Sequence, residues 1–93
     1  MPAPFLLEDE KMEETRVAVI SIIVEKVEAV EAINALLHQY RQYIIGRMGV
    51  PYPKKEISII SVAMDGPMDS VSALSGKLGA LAGVSTKTVY SKK

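Results

Sequence analysis

The chain has 93 residues, no cysteine, and eleven basic against eleven acidic residues, so its formal net charge is zero. This length indicates one domain, the lack of cysteine excludes disulfides and thiolate metal sites, and the charge balance argues against direct DNA binding. There is no signal-like segment and no apolar run long enough to span a membrane, so we expect a cytoplasmic protein that does not enter the membrane.

The first 14 residues are predicted to form a flexible N-terminal arm. They contain two prolines and a run of acidic side chains, without a periodic apolar pattern. The periodic pattern begins just after Met12, which makes this residue an alternative start of the chain. A single domain is expected over residues 15–93.

The first strand, predicted at about 15–25, is apolar on both faces. Val17 and Val19 alternate with Ile20 and Ile22, so apolar side chains point to both faces of the strand. Both faces therefore need to pack against other parts of the protein. The helix that follows, at about 26–40, has an apolar stripe with helical spacing. That stripe consists of Val30, Ile33, Leu37 and Tyr40.

The second strand is predicted at 42–50, where Pro51 and Pro53 end it because proline cannot donate to a ladder. Its Gly46-Arg47-Met48-Gly49 run matches the loop by which KH domains clamp nucleic acid, but that loop joins two helices. A bulged or kinked edge strand is the favoured interpretation.

The second half of the chain repeats the strand and helix pattern. A doubly apolar strand is predicted at 56–64, followed by a turn at Asp65-Gly66-Pro67 and a helix over 68–81. Gly83 is predicted to end this helix in a left-handed conformation, before a polar strand at 84–91.

The order β-α-β-β-α-β predicts an α+β protein, a ferredoxin-like sandwich with an antiparallel sheet in the order 4-1-3-2 and two helices on one face. The doubly apolar first and third strands suit the centre of the sheet. The polar fourth strand and the glycine-containing second strand suit its edges.

Two helices cover one face of the sheet, and the other face needs a second copy of the chain. We predict that the open face is the one with serines in the middle of both central strands. Its burial predicts a homo-oligomer, a dimer or tetramer. The interface candidates are Val17, Val19, Ser21, Ile23, Ile57, Ile59 and Ser61, with Ala63 on the same face.

Basic and aromatic side chains around the second strand suggest another site. Arg41, Arg47 and Tyr52 are candidates for the rim of an interface or of a pocket for an anionic molecule; a solvated edge is the alternative. His38 is the only histidine, whereas a metal site needs several ligands. With no nucleophile and base pair, we predict no catalytic, cofactor-binding or metal-binding residues, and no enzyme activity.

Three segments resemble the family of iron-only hydrogenase system regulators. They are residues 16–25, residues 38–52, and residues 73–84 with Lys87 and Val89, and the resemblance extends over about 14–92. Family members resemble ACT domains and the C-terminal domain of the nickel-responsive repressor. The resemblance therefore implies an ACT-like domain, a tetramer and a regulatory role.

Two departures narrow what this resemblance implies. The nickel repressor binds its metal with several histidines and a cysteine, and its DNA-binding segment has no counterpart here. Glu25-Lys26 stands where ACT domains usually have a glycine that admits an amino acid.

The residues and the resemblance together predict a non-enzymatic, homo-oligomeric regulatory domain linked to iron-only hydrogenase regulation or maturation. It would respond to a small-molecule effector or a protein partner at a subunit interface. The alternative is a structural or assembly accessory protein that acts by protein–protein contact without a ligand.

Overall fold

The computed structural model describes residues 14–93, and the predicted arm therefore lies outside the described residues except for Glu14. The strands are β1 (Thr15–Val24), β2 (Ile44–Tyr52), β3 (Ile57–Pro67) and β4 (Val84–Tyr90). The helices are α1 (Val30–Gln39) and α2 (Met68–Gly79), and single 3-10 turns cover Val27–Ala29, Arg41–Tyr43 and Pro53–Lys55. The predicted β-α-β-β-α-β order is confirmed.

The four strands form one antiparallel sheet in the order β2-β3-β1-β4, which is the predicted order read from the opposite edge. Ser21 of β1 lies opposite Ser61 of β3, and the same register extends along both central strands. The doubly apolar strands therefore occupy the centre, as expected for the positions with most neighbours.

The core lies between one face of the sheet and the two helices. Ile20 and Ile22 of β1 are fully buried there, together with Val62 and Met64 of β3. The helices supply residues spaced three and four apart, which is the spacing of one helix face. These are Ile33 and Leu37 of α1 and Val71, Leu74 and Leu78 of α2.

The predicted turn at Asp65-Gly66-Pro67 is wrong, because β3 continues through these residues to Pro67. Gly66 pairs with Arg16 and lies under the ring of Tyr43, where an added Cβ would stand 2.9 Å from Tyr43 Cγ. The strand continues because the glycine leaves room for this aromatic ring, a contact that local turn propensity does not include.

The predicted end of β2 before Pro51 is also wrong. Pro51 lies within the strand opposite Ser58, and pairing continues to Tyr52. Because β2 is an edge strand, a residue without an N–H is tolerated where that group would face away from β3. The predicted irregularity of this strand is confirmed, since the register shifts between Ile44 and Gly46.

The helix predicted to begin at Lys26 starts with a 3-10 turn, and α1 proper begins at Val30. Lys26 has extended backbone angles and provides no side-chain cap. Gly83 adopts the predicted left-handed conformation with φ +78°. Its predicted role as the end of the second helix is wrong, because α2 already ends at Gly79 with Ala80 as its C-cap. None of the helices within residues 14–93 is long and apolar enough to cross a membrane.

Candidate functional site

The face of the sheet turned away from the helices carries the residues that were predicted as an open surface. Val17, Val19 and Ile59 are 43%, 37% and 38% exposed, whereas the neighbouring Ile20 and Ile60 are 0% and 8% exposed. Alternation along the strand explains the contrast, because successive side chains point to opposite faces. The structure thus places the predicted interface set on the uncovered face.

The edge strands extend this surface with residues that the sequence analysis did not assign to it. Val50 lies opposite Ile59 in β2, and Val89 lies opposite Val19 in β4. Directly opposed residues share a face of the sheet. The edge strands therefore contribute four further apolar or aromatic side chains: Met48, Val50 and Tyr52 of β2, and Val89 of β4, which are 63%, 46%, 42% and 67% exposed.

The bulge in β2 decides which residues of that strand reach the open face. Ile44 pairs with Met64 on the helix side, while Gly46 pairs with Ala63, so one extra residue shifts the alternation. A shift by one residue moves every later side chain to the other face. Met48 consequently joins the open face, and Arg47 turns towards the helices.

We call the resulting surface the open-face patch. In residues 14–93, seven of the ten exposed large hydrophobic side chains lie on it: Val17, Val19, Met48, Val50, Tyr52, Ile59 and Val89. Soluble monomers rarely expose so many large apolar side chains on one face of a sheet unless that face binds something. The patch is therefore the strongest candidate for a functional surface in the described part of the chain.

A polar row crosses the middle of the open-face patch. Ser61 and Ser21 are directly opposed, and Lys87 of β4 continues the row beside Ser21. The apolar Met48 of β2 lies at the other end, beside Ser61. Hydroxyl groups both donate and accept hydrogen bonds, so a partner on this surface must supply polar groups along the row. The row therefore restricts how a partner can be oriented on the patch, which a uniformly apolar surface would not do.

The three predicted rim residues are not brought together. Arg41 Nη1 donates to the carbonyl of His38 (2.9 Å) at the end of α1, and Arg47 Nη2 donates to Asn34 Oδ1 (3.0 Å) on the helix side of β2. Tyr52 lies at the far end of β2, about 25 Å along the strand from Ile44. They do not line one anion pocket.

A separate cleft of about 1010 Å³ lies where β1 ends, between the 3-10 turn Val27–Ala29 and the β2–β3 hairpin. Val24, Val30 and Leu81 form apolar walls. Tyr52 and Ile57 line this cleft and also share the open face, so the two surfaces adjoin. Within residues 14–93, no three His, Cys, Asp or Glu side chains converge as a metal site.

Comparison with known families identifies the chain. The family described as "Iron-only hydrogenase system regulator, putative" matches residues 16–88. The chain belongs to this family. That description names a regulator rather than an enzyme.

A solved structure of the same fold supports this membership in the iron-only hydrogenase system regulator family. The uncharacterized protein TM1266 from Thermotoga maritima is 36% identical to the chain, with a TM-score of 0.82. The similarity covers 85% of this chain and 100% of that one. A comparison with curated proteins finds no match.

Proposed function

We propose that this chain is a non-enzymatic regulatory protein of the iron-only hydrogenase system and that it works as a homo-oligomer. The observation that carries this proposal is the open-face patch, which leaves apolar side chains of all four strands uncovered. The family description supplies the regulatory context. The proposed interface joins the open faces of two copies of the chain.

The size of the patch supports a stable association. Complete burial of one large apolar side chain contributes about 1.5–3 kcal/mol. The seven patch side chains are already about half buried in the protomer, so association would add roughly half of that amount for each of them. The gain is thus on the order of 7 kcal/mol for each copy. For a pair, this is comparable with the upper part of the estimated association cost of about 4–15 kcal/mol.

A second copy is favoured over an unrelated partner because the patch complements itself. Both copies present the same opposed serines in the middle of an apolar surface. Two serine rows in contact can exchange hydrogen bonds, so the polar groups are not left unpaired on burial. A two-fold axis through the serine row would place the serines of one copy against the serines of the other.

Regulation would then follow from changes at the subunit interface. A small-molecule effector or a protein partner that binds one oligomeric state better than another shifts the population towards that state. The alternative function, an accessory protein without a ligand, would use the same surface for a different protein.

Light scattering after size-exclusion chromatography tests the oligomer. The wild-type protein at micromolar concentration should have about two or four times the protomer mass of 10.1 kDa. Val19→Lys should move the mass towards one protomer, because it places a charge in the middle of the patch. Ala35→Lys adds the same charge on the exposed surface of α1 and should leave the mass unchanged.

Circular dichroism should show that both variants keep the wild-type fold. A monomeric wild-type protein would refute the homo-oligomer. Pull-down of one stoichiometric protein partner by that monomer, lost in Val19→Lys, would support the accessory function instead.

A further inference from the structure

We propose that the cleft at the end of β1 binds a small apolar molecule that carries a positive charge. Its volume, about 1010 Å³, is at the upper end of the usual range for small-molecule sites. Neither the family description nor the proposed interface assigns a role to this cleft. The cleft adjoins the proposed interface at Tyr52 and Ile57, and its other lining residues lie outside the open-face patch.

The walls of the cleft provide an apolar surface that the fold itself does not use. Val27 lines the cleft and is 79% exposed, the most exposed large hydrophobic side chain within residues 14–93. Pro51, Pro53 and Tyr52 face it from the β2–β3 hairpin. Apolar groups on both sides of an open cleft suit a flat or elongated apolar ligand.

The charged groups of the cleft determine the sign of the ligand's charge. Three acidic residues are among those that line it, Glu25, Glu28 and Glu56, against one basic residue, Lys26. The stem of Lys26 lies against Gly83, where an added Cβ would stand 2.6 Å from Lys26 Cγ. The excess of negative charge favours an organic cation over an anion.

The position of Glu56 adds to the negative side of the cleft. Its backbone is left-handed, with φ 55°, and its N–H donates to the carbonyl of Pro53 (3.0 Å). This conformation closes the turn Pro53–Lys55 and sets the point where β3 enters the cleft wall. Glu56 therefore lies on the hairpin side of the cleft, whereas Glu28 belongs to the 3-10 turn Val27–Ala29.

Tryptamine and indole-3-propionate form a matched pair of probes, with one ring system, similar length and opposite charge. Amide chemical shifts of the full-length ¹⁵N-labelled protein should change on titration with tryptamine at residues 26–29 and 81–82. We expect a dissociation constant on the order of 1 mM for a probe of this size. Indole-3-propionate should bind at least roughly three-fold more weakly, because the acidic residues of the cleft repel its carboxylate.

Two pairs of variants locate the site and test the charge argument. Ala32→Trp fills the cleft and should abolish the shifts, as should Ala82→Trp, whereas Ala35→Trp on the exposed side of α1 should not. Glu28→Lys should weaken tryptamine binding roughly three-fold to ten-fold. Glu31→Lys makes the same charge change outside the cleft and should have no such effect.

The proposal is overturned if the carboxylate binds as tightly as the amine, or if neither binds. It is also overturned if the shifts map elsewhere, or if the cleft-filling and control variants behave alike. These outcomes leave the oligomeric state untouched, so failure here is distinguishable from failure of the proposed interface.

Discussion

At the scale of single residues, Ile59 and Ile60 are adjacent in β3 but have opposite environments. Ile59 is 38% exposed on the open-face patch, while Ile60 is 8% exposed beneath the helices. Ile60→Asp should prevent folding, because a buried unpaired charge costs several kcal/mol, which is comparable with the whole stability of a small domain. Ile59→Asp should leave the protomer folded and weaken association.

Circular dichroism with thermal melting reports the fold of these two variants, and light scattering reports their mass. The expected result is an unfolded Ile60→Asp chain and a folded Ile59→Asp chain of lower mass. The reverse result would show that the helices cover the other face of the sheet in solution.

At the scale of elements, the far end of β3 depends on the contact between Gly66 and Tyr43. An added Cβ at Gly66 would meet Tyr43 Cγ at 2.9 Å, so the aromatic ring must move. Gly66→Ala should therefore lower the free energy of unfolding by about 1–3 kcal/mol. Urea denaturation measures this change, at one fixed protomer concentration because the proposed self-association would contribute to the apparent stability.

Gly76 supplies the matched control, because an added Cβ there meets nothing within 4 Å. Gly76→Ala lies in α2 and should raise stability by about 0.5–1 kcal/mol, because alanine is the better helix former. In a Tyr43→Ala background the cost of Gly66→Ala should shrink. Equal costs in both backgrounds would show that the ring is not what makes glycine necessary.

At the scale of the whole molecule, zero net charge and a single histidine predict no tight binding of transition metals or duplex DNA. Elemental analysis of the purified protein should detect no stoichiometric nickel, zinc or iron. Duplex DNA should not be retarded at physiological salt. One nickel ion per protomer or per dimer, lost in His38→Ala, would contradict this prediction and would restore the analogy with the nickel-responsive repressor.

Much of the fold could be predicted from local patterns. The order of elements follows from apolar periodicity, and the centre of the sheet follows from which strands are apolar on both faces. The uncovered face of the central strands follows from side-chain alternation and the position of Ser21 and Ser61. These features can be predicted because the sequence patterns that indicate them repeat within a few consecutive residues.

The tertiary structure alone decided the limits of the strands and the full extent of the open-face patch. Tyr43 packs on Gly66 and allows β3 to continue, and the edge position of β2 makes Pro51 acceptable. The bulge after Ile44 moves Met48 onto the patch. The cleft likewise forms between segments that are distant in sequence, and such pairings depend on packing between elements rather than on the preferences of neighbouring residues.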